Sequence, residues 1–189
     1  MTARHPRLRD VELSDRDRLR AWRNQPNVAR WMYSDHPIGP EEHARWFASA
    51  MADPGRRYWI IQAGERPVGL INLYDIELEC RQAGFAYYLA DEPARGGGLA
   101  SWAGVQVLDF AFGELGLMRV WAEALVENVA SVGYLGALGF REAEVLRGHV
   151  EKAGFSGDVV RMVLHVDGWA GARQACRERL AARGYDVEG

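Results

Sequence analysis

The spacing of apolar residues along the chain changes repeatedly, and each change marks a predicted helix or strand. Apolar residues three and four apart from Trp102 to Leu115 predict a helix that ends at Gly113 and Gly116. Further helices are predicted from 15 to 23 after an N-cap at 14–15, from 40 to about 53, from 129 to 138, and from 168 to 184 as an extra amphipathic C-terminal helix.

Runs rich in β-branched and aromatic residues predict the strands between these helices. The predicted strands are 7–13, 58–62, 67–74, 83–90, 118–125, 140–150 and 159–166, with the last two forming an antiparallel pair joined by a loop that contains Gly154 and Gly157. Strands and helices therefore alternate through most of the chain, which is typical of an α/β or α+β fold.

Three consecutive glycines, Gly96, Gly97 and Gly98, lie between a predicted strand and the helix that follows it. Glycine has no side chain to hold a ligand away from the backbone, and the first amides of a helix have no acceptor within the helix. Such a loop is typical of a phosphate site, and a tight strand-to-helix turn is the alternative. The Lys-Ser/Thr pair of nucleoside-triphosphate loops and the dinucleotide fingerprint are both absent.

Composition narrows the class of protein. A chain of 189 residues with 48% hydrophobic residues fits one domain over 1–189, and a net charge of −3 favours neither nucleic acid nor an anionic membrane. Cys80 and Cys176 are far apart and lack metal-type spacing, so we expect no metal site and a reducing, cytoplasmic location. No apolar run is long enough to span a bilayer. The C-terminal helix is expected to pack on the domain or on a second copy, so a homodimer is possible.

Two blocks of sequence carry a family resemblance. The pattern Arg95-Gly-x-Gly-x-Ala100, followed by Asn128-x-x-Ser131 and Gly139-Phe140, resembles the GNAT superfamily of acetyl-coenzyme A-dependent N-acetyltransferases. The resemblance implies a GNAT fold, with a mixed, mostly antiparallel central sheet of six to seven strands flanked by helices. It also implies that the sheet splays apart between the strands around 83–90 and 118–125.

The same resemblance implies a coenzyme A site and direct attack of an amine on the thioester through a tetrahedral intermediate. The diphosphate is expected on the glycine loop and the pantetheine arm along the preceding strand. The implied cofactor-binding residues are Tyr88, Leu89, Ala90, Arg95, Gly96, Gly97, Gly98, Leu99, Ala100, Asn128 and Ser131.

Two catalytic residues are expected. Glu123, near the end of its strand, is the candidate base for the amine, and a surface or arginine-paired carboxylate is the alternative. Many family members place a tyrosine seven residues after the motif asparagine, to protonate the thiolate. This sequence has Leu135 there and Tyr134 one position earlier, so either Tyr134 or water is expected to supply that proton.

The first quarter of the chain resembles the nucleotide-sugar N-acetyltransferases of the pseudaminic acid pathway, which serves flagellin glycosylation. The similar segments are Leu19-x-x-Trp22-Arg23-Asn24-x-Pro26, Trp31-Met32-Tyr33-x-x-His36 and Glu41-Glu42-His43. This resemblance implies a UDP-4-amino-4,6-dideoxy-N-acetyl-β-L-altrosamine acceptor. Its substrate-binding residues would be Arg23 and His43, with Tyr33, Arg81 and Tyr88 as weaker assignments.

Other acceptors stay open on the sequence alone. The ribosomal-protein alanine N-acetyltransferases share the Trp-Arg-Asn region loosely and often lack the usual tyrosine. An aminoglycoside acetyltransferase needs an acidic pocket, and Asp75-Ile-Glu77-Leu-Glu79 offers some acid. A non-catalytic coenzyme A sensor would keep the loop and lose the acceptor pocket.

Overall fold

Seven strands form one sheet in the computed structural model of the chain, which describes residues 5–34, 36–152 and 155–186. The strand order is β1-β2-β3-β4-β5-β7-β6, and of the six pairings only β4 with β5 is parallel. The strands are β1 (Pro6–Asp10), β2 (Arg57–Ala63), β3 (Arg66–Glu77), β4 (Gln82–Leu89), β5 (Arg119–Leu125), β6 (Arg141–Lys152) and β7 (Phe155–His165). The predicted mixed, mostly antiparallel sheet is confirmed.

Helices cover both faces of this sheet. They are α1 (Arg16–Arg23), α2 (Pro26–Ala29), α3 (Pro40–Ala52), α4 (Leu99–Asp109), α5 (Val129–Ala137) and α6 (Val166–Ala181). Leu19 of α1 and Phe47 of α3 pack with Ile60 and Leu70 on one face. The α4, α5 and α6 helices pack on the other face, which carries most of the buried apolar side chains.

The larger core holds the two central strands rigidly against α4. Ile71, Phe85, Leu108 and Val120 are each at most 1% exposed. Complete burial of such a side chain stabilises the fold by roughly 1.5–3 kcal/mol. The strand ends and loops that form the site therefore project from a well-packed scaffold.

Several element boundaries differ from the prediction. The β7 strand begins at Phe155, so Gly157 lies within a strand instead of a connecting loop, and Gly154 lies outside the described residues. The β3 strand continues to Glu77, across a bulge after Tyr74. Backbone hydrogen bonds to neighbouring strands extend these elements past the point where the apolar pattern stops.

The C-terminal helix begins at Val166, two residues before its predicted start, and ends at Ala181. Its apolar face is buried on the domain, with Trp169, Cys176 and Leu180 at most 5% exposed. Trp169 Nε1 also donates to Asp109 Oδ1 in α4 at 2.9 Å. The helix therefore belongs to the same packed unit as the sheet.

Candidate active site

The sheet opens between its two central strands. Parallel pairing of β4 with β5 covers only Gln82 to Gly84 against Arg119 to Trp121, and the strands then separate. Ala90 N donates to Val68 O at 2.9 Å. In an antiparallel pair every second residue bonds to the same neighbouring strand, so the main chain of Tyr88 also bonds to β3. The main chains of Tyr87 and Leu89 therefore face the gap. The splay predicted around 83–90 and 118–125 is present.

Main-chain groups of β5 line the other side of the gap. Val126 N donates to Asp158 O at 3.0 Å. By the same two-residue alternation, the main chain of Ala124 bonds to β7. The main chains of Glu123 and Leu125 therefore face β4. A ligand that enters the gap meets main-chain groups from two strands, as an added strand would, although the Leu89 and Leu125 carbonyls already accept from Arg95 and from Asn128 N.

The glycine loop follows β4 directly. It contains a 3₁₀ turn at Glu92–Ala94 and two residues in the left-handed region, Gly96 at φ +73° and Gly98 at φ +96°. Trp102 N donates to Gly98 O at 2.9 Å as the first amide of α4 to bond within the helix. The amides of Leu99, Ala100 and Ser101 precede it and lie at the positive end of the helix dipole. This geometry suits a phosphate.

Some of the predicted cofactor residues near the end of β4 face the gap, and others bond within the protein. Arg95 Nη2 donates to Leu89 O at 2.6 Å, so this guanidinium fastens the loop to the strand. The amide of Ala90 bonds to β3, and its carbonyl accepts from Asn27 Nδ2 at 3.4 Å. Among Tyr88, Leu89 and Ala90, only Leu89 directs its main chain into the gap, and Tyr87 joins it there.

Tyr134 lies between α5, α4 and the end of β4. Its ring centroid is 4.0 Å from that of Tyr87, and its hydroxyl donates to Ala100 O at 3.0 Å. Burial raises the pKa of the Tyr134 hydroxyl well above its ordinary value, so it stays protonated. Leu135, at the usual tyrosine position, is 1% exposed and belongs to the core. Tyr134 of α5 therefore contacts the end of the glycine loop.

The motif residues at the start of α5 hold its first turn. Asn128 Oδ1 accepts from Ser131 N at 3.2 Å, which caps the helix as the sequence predicts. Burial raises the pKa of Tyr87 to about 12, and the nearby Ser131 side chain only partly offsets that rise. Asn128 and Ser131 thus connect the end of β5 to the gap-facing end of β4.

Glu123 is held by two partners on the opposite face of the sheet. Arg161 donates to Glu123 Oε1 from Nε at 2.9 Å and from Nη2 at 2.7 Å. The Tyr33 hydroxyl donates to Oε2 at 2.8 Å, and burial, followed by this bond, raises the pKa of Tyr33. Three of the roughly four acceptor positions of the carboxylate are occupied. The segment between α2 and α3 is thereby joined to the centre of the sheet.

A second cluster on this face combines Arg23 and Tyr88. Arg23 is partly buried and forms no ion pair with any described residue, and burial lowers its pKa. The Tyr88 hydroxyl is buried without a hydrogen-bond partner in the described structure, and Trp22 packs edge-on against its ring at 6.3 Å. Burial raises the pKa of Tyr88, and the Arg23 charge partly offsets the rise. The cluster is a positive charge beside an unused hydroxyl.

Two predicted substrate residues lie elsewhere. His43 is 3% exposed and packs on Trp46 at 5.1 Å between ring centroids, so it belongs to the packing of α3. Arg81 precedes β4, and its Nε donates to Gly116 O at 2.9 Å. The eight residues of β4 separate Arg81 from the glycine loop by about 25 Å. The structure does not bring either residue to the opened strands.

The site also contains residues that sequence reasoning missed. Arg161 lies opposite Glu123 in the β5–β7 register, and its guanidinium is 5.4 Å from the centre of the Trp121 ring. Tyr74 packs edge-on against Trp121 at 5.0 Å. The alternation in β5 could have placed Trp121 on the face of Glu123, but the sequence carries no signal for the register with β7.

Two negative results apply to the described ranges alone. None of the helices there combines the length and apolar character that crossing a bilayer requires. The His, Cys, Asp and Glu side chains in those ranges form no group of three or more that could hold a metal ion.

Comparisons with known proteins agree with this geometry. Residues 6–141 match the family model described as an acetyltransferase (GNAT) domain. "Uncharacterized N-acetyltransferase p20" of Bacillus licheniformis is 28% identical over 170 residues, which are 87% of this chain and 94% of that protein. "Probable N-acetyltransferase YjcK" of Bacillus subtilis is 31% identical over 87 residues, so the match spans 46% of this chain and about half (48%) of that relative.

A solved structure shares the fold. The spermidine N-acetyltransferase of Vibrio cholerae, crystallised with CoA and spermine, superposes with a TM-score of 0.80 at 23% identity and covers 87% of this chain and 98% of its own. At that identity the likeness extends to the fold alone. Because the family model spans well over half of the sequence, the chain belongs to the GNAT family of acetyltransferases and uses acetyl-coenzyme A as its acyl donor.

Proposed function

We propose that this acetyltransferase acts on a primary amine whose carrier also bears a negatively charged group. We further propose that this carrier is a UDP-linked amino sugar of the UDP-4-amino-4,6-dideoxy-N-acetyl-β-L-altrosamine type. The observation that supports the proposal is Arg23, a partly buried guanidinium with no ion pair among the described residues, beside the unused Tyr88 hydroxyl.

A partly buried cation without a counter-ion is unfavourable, because it has lost water without gaining a partner. A phosphate or carboxylate would supply the missing charge, and guanidinium geometry suits either one bidentately. Tyr88 could donate one further hydrogen bond. A polycationic acceptor, such as the polyamine named for the Vibrio structure, would instead be repelled, because Arg161 already neutralises Glu123.

The glycine loop fits a coenzyme diphosphate by its shape. Gly98 has φ +96°, and a Cβ added there would lie 3.2 Å from the Tyr185 ring, so glycine is what allows the loop to turn this tightly into α4. We assign the diphosphate to the amides of residues 96–100 and the pantetheine arm to the gap-facing main chain of Tyr87 and Leu89. Acetyl-coenzyme A, when bound, supplies an activated thioester at the opened strands.

Side chains and amides of the protein then accept the amine's proton, stabilise the charge on the acetyl oxygen and donate a hydrogen bond to the thiolate. Glu123 has one acceptor position left, which could take the amine's proton through a water molecule. Gap-facing amides of β4 and β5 stabilise negative charge that develops on the acetyl oxygen. Tyr134 keeps its proton at neutral pH, so by giving up its bond to Ala100 O its hydroxyl can donate a hydrogen bond to the departing thiolate.

An acceptor panel tests this function. Thiol release is measured with a UDP-4-amino sugar, an alanine-terminal peptide, an aminoglycoside and spermidine, each with acetyl-coenzyme A. We expect the UDP-amino sugar to have the highest kcat/KM. Preferred turnover of spermidine or of the aminoglycoside would contradict the proposal.

Thermal shift measurements separate the role of Arg23 from general effects. UMP is expected to raise Tm in the presence of coenzyme A, and Arg23→Ala is expected to abolish that rise. Arg16→Ala is the control, because Arg16 lies on the same helix but is exposed and pairs with Asp17. A UMP effect that persists in Arg23→Ala would remove Arg23 from the acceptor site.

A further inference from the structure

The end of the C-terminal helix lies against the glycine loop. Three side chains come closest to the position that a Gly98 Cβ would occupy: Tyr185 at 3.2 Å, Arg183 at 3.4 Å and Leu180 at 3.4 Å. Leu180 and Tyr185 are buried, at 2% and 6% exposure. Residues 180–185, which lie outside the range of the matched family model, therefore form one wall of the loop.

Arg183 places its charge over this loop. Its Nη1 is 3.3 Å from the Gly96 carbonyl oxygen, the side chain is exposed, and no described residue forms an ion pair with it. Arg95, the arginine of the sequence motif, instead donates to Leu89 O and lies 3.8 Å from Glu92. The guanidinium that lies at Gly96 without an ion-pair partner among the described residues thus comes from the C-terminal segment.

We propose that Arg183 is a phosphate-binding residue of the coenzyme site, and that the segment 180–185 completes this site. The inference rests on the coenzyme lying in the glycine loop, as proposed above. The bond to a backbone carbonyl is weak and exposed, so a bound phosphate can replace it with a charge-assisted contact. The segment also holds the loop in shape through the buried Tyr185 and Leu180 side chains.

The test is the dissociation constant of coenzyme A for the full chain, measured by titration calorimetry. Arg183→Ala is expected to weaken binding roughly five- to tenfold at low salt, with little change in Tm because the side chain is exposed. Arg183→Lys is expected to recover part of the loss. The matched control is Arg179→Ala, because Arg179 lies one turn earlier and donates to Ala137 O, away from the loop.

Two further titrations, one at varied salt and one with a coenzyme lacking the 3′-phosphate, test whether Arg183 acts by charge and on which phosphate. The difference between wild type and Arg183→Ala is expected to shrink between about 0.05 and 0.5 M salt, because screening weakens exposed charge contacts. With 3′-dephospho-coenzyme A, a persisting difference assigns Arg183 to the diphosphate, and a lost difference assigns it to the 3′-phosphate. An unchanged affinity, or a loss that is independent of salt, would overturn the inference.

A substitution in the glycine loop distinguishes failure of the Arg183 inference from failure of the proposed coenzyme placement. Gly98→Ala is expected to weaken coenzyme A binding strongly, because it strains a left-handed residue and pushes against Tyr185. If Gly98→Ala binds normally, the coenzyme does not lie in the loop and the proposed placement fails. If Gly98→Ala fails to bind while Arg183→Ala binds normally, only the inference about Arg183 fails.

Discussion

Gly104→Ala is a sensitive probe of Tyr134, although Gly104 is not a site residue. A Cβ at Gly104 would lie 2.5 Å from the Tyr134 hydroxyl oxygen and 2.8 Å from Leu138 Cδ1. Contacts this short cannot persist, so the tyrosine, which is wedged between α4 and Tyr87, has to move. The substitution therefore displaces the proposed hydrogen-bond donor without altering its chemistry.

The change in stability of Gly104→Ala is the sum of two opposing contributions. Overpacking in a well-packed region costs about 1–3 kcal/mol, and the better helix propensity of alanine returns about 1 kcal/mol. We expect a net loss of about 1 kcal/mol, or a fall in Tm of about 2–4 °C for a chain of this size. Displacement of a catalytic group by about 1 Å can lower kcat up to about 100-fold.

The assay is thiol release with saturating acetyl-coenzyme A and the best acceptor of the panel. Tyr134→Phe supplies the second arm, because it removes the oxygen that the new methyl group meets. We expect Gly104→Ala to lower kcat at least about tenfold in the wild type and less than about twofold in Tyr134→Phe. Gly113→Ala is the control, because nothing lies within 4 Å of a Cβ there.

Two results would refute this reasoning. Gly104→Ala could leave kcat within about twofold of wild type, in which case the position of the Tyr134 hydroxyl does not matter. It could also lower kcat by the same factor with and without the hydroxyl, in which case the loss passes through α4 and not through Tyr134.

Further predictions concern the acceptor face and its support. Arg161→Ala is expected to lower the free energy of unfolding by about 1–2 kcal/mol, because among the described residues it leaves the mostly buried Glu123 carboxylate with the Tyr33 hydroxyl alone as a partner; chemical denaturation measures this, and an unchanged midpoint would contradict it. Glu123→Gln is expected to lower kcat, because the amide cannot take the amine's proton; a kcat equal to that of the wild type would exclude that role. Burial lowers the pKa of His43 below 6.5, so the unfolded chain binds its proton first as pH falls and stability drops below about pH 6.5; His43→Phe is expected to flatten that dependence in melting curves taken from pH 7 to 5.

The sequence predicted the elements whose signals are local. Glycines at 96–98 and the apolar spacing after them predicted the loop and α4, because left-handed backbone and helical periodicity are properties of neighbouring residues. The apolar face of α6 was also visible, since Trp169, Cys176 and Leu180 recur at helical spacing and are buried.

Contacts between distant segments could not be predicted in this way. The pairing of Glu123 with Arg161 depends on the register of β5 with β7, which no local pattern specifies. Arg81 was expected at the acceptor, yet strand direction places it at the far end of β4. The contact of Arg183 with the glycine loop depends on where α6 ends in space.

A crystal structure with coenzyme A bound tests the central claim most directly. We predict the diphosphate on the amides between Gly96 and Ala100, with the pantetheine arm beside Tyr87 and Leu89 in the gap between β4 and β5. A loop that stays closed to the ligand, or a coenzyme whose nucleotide end lies elsewhere, would contradict this placement and the mechanism built on it.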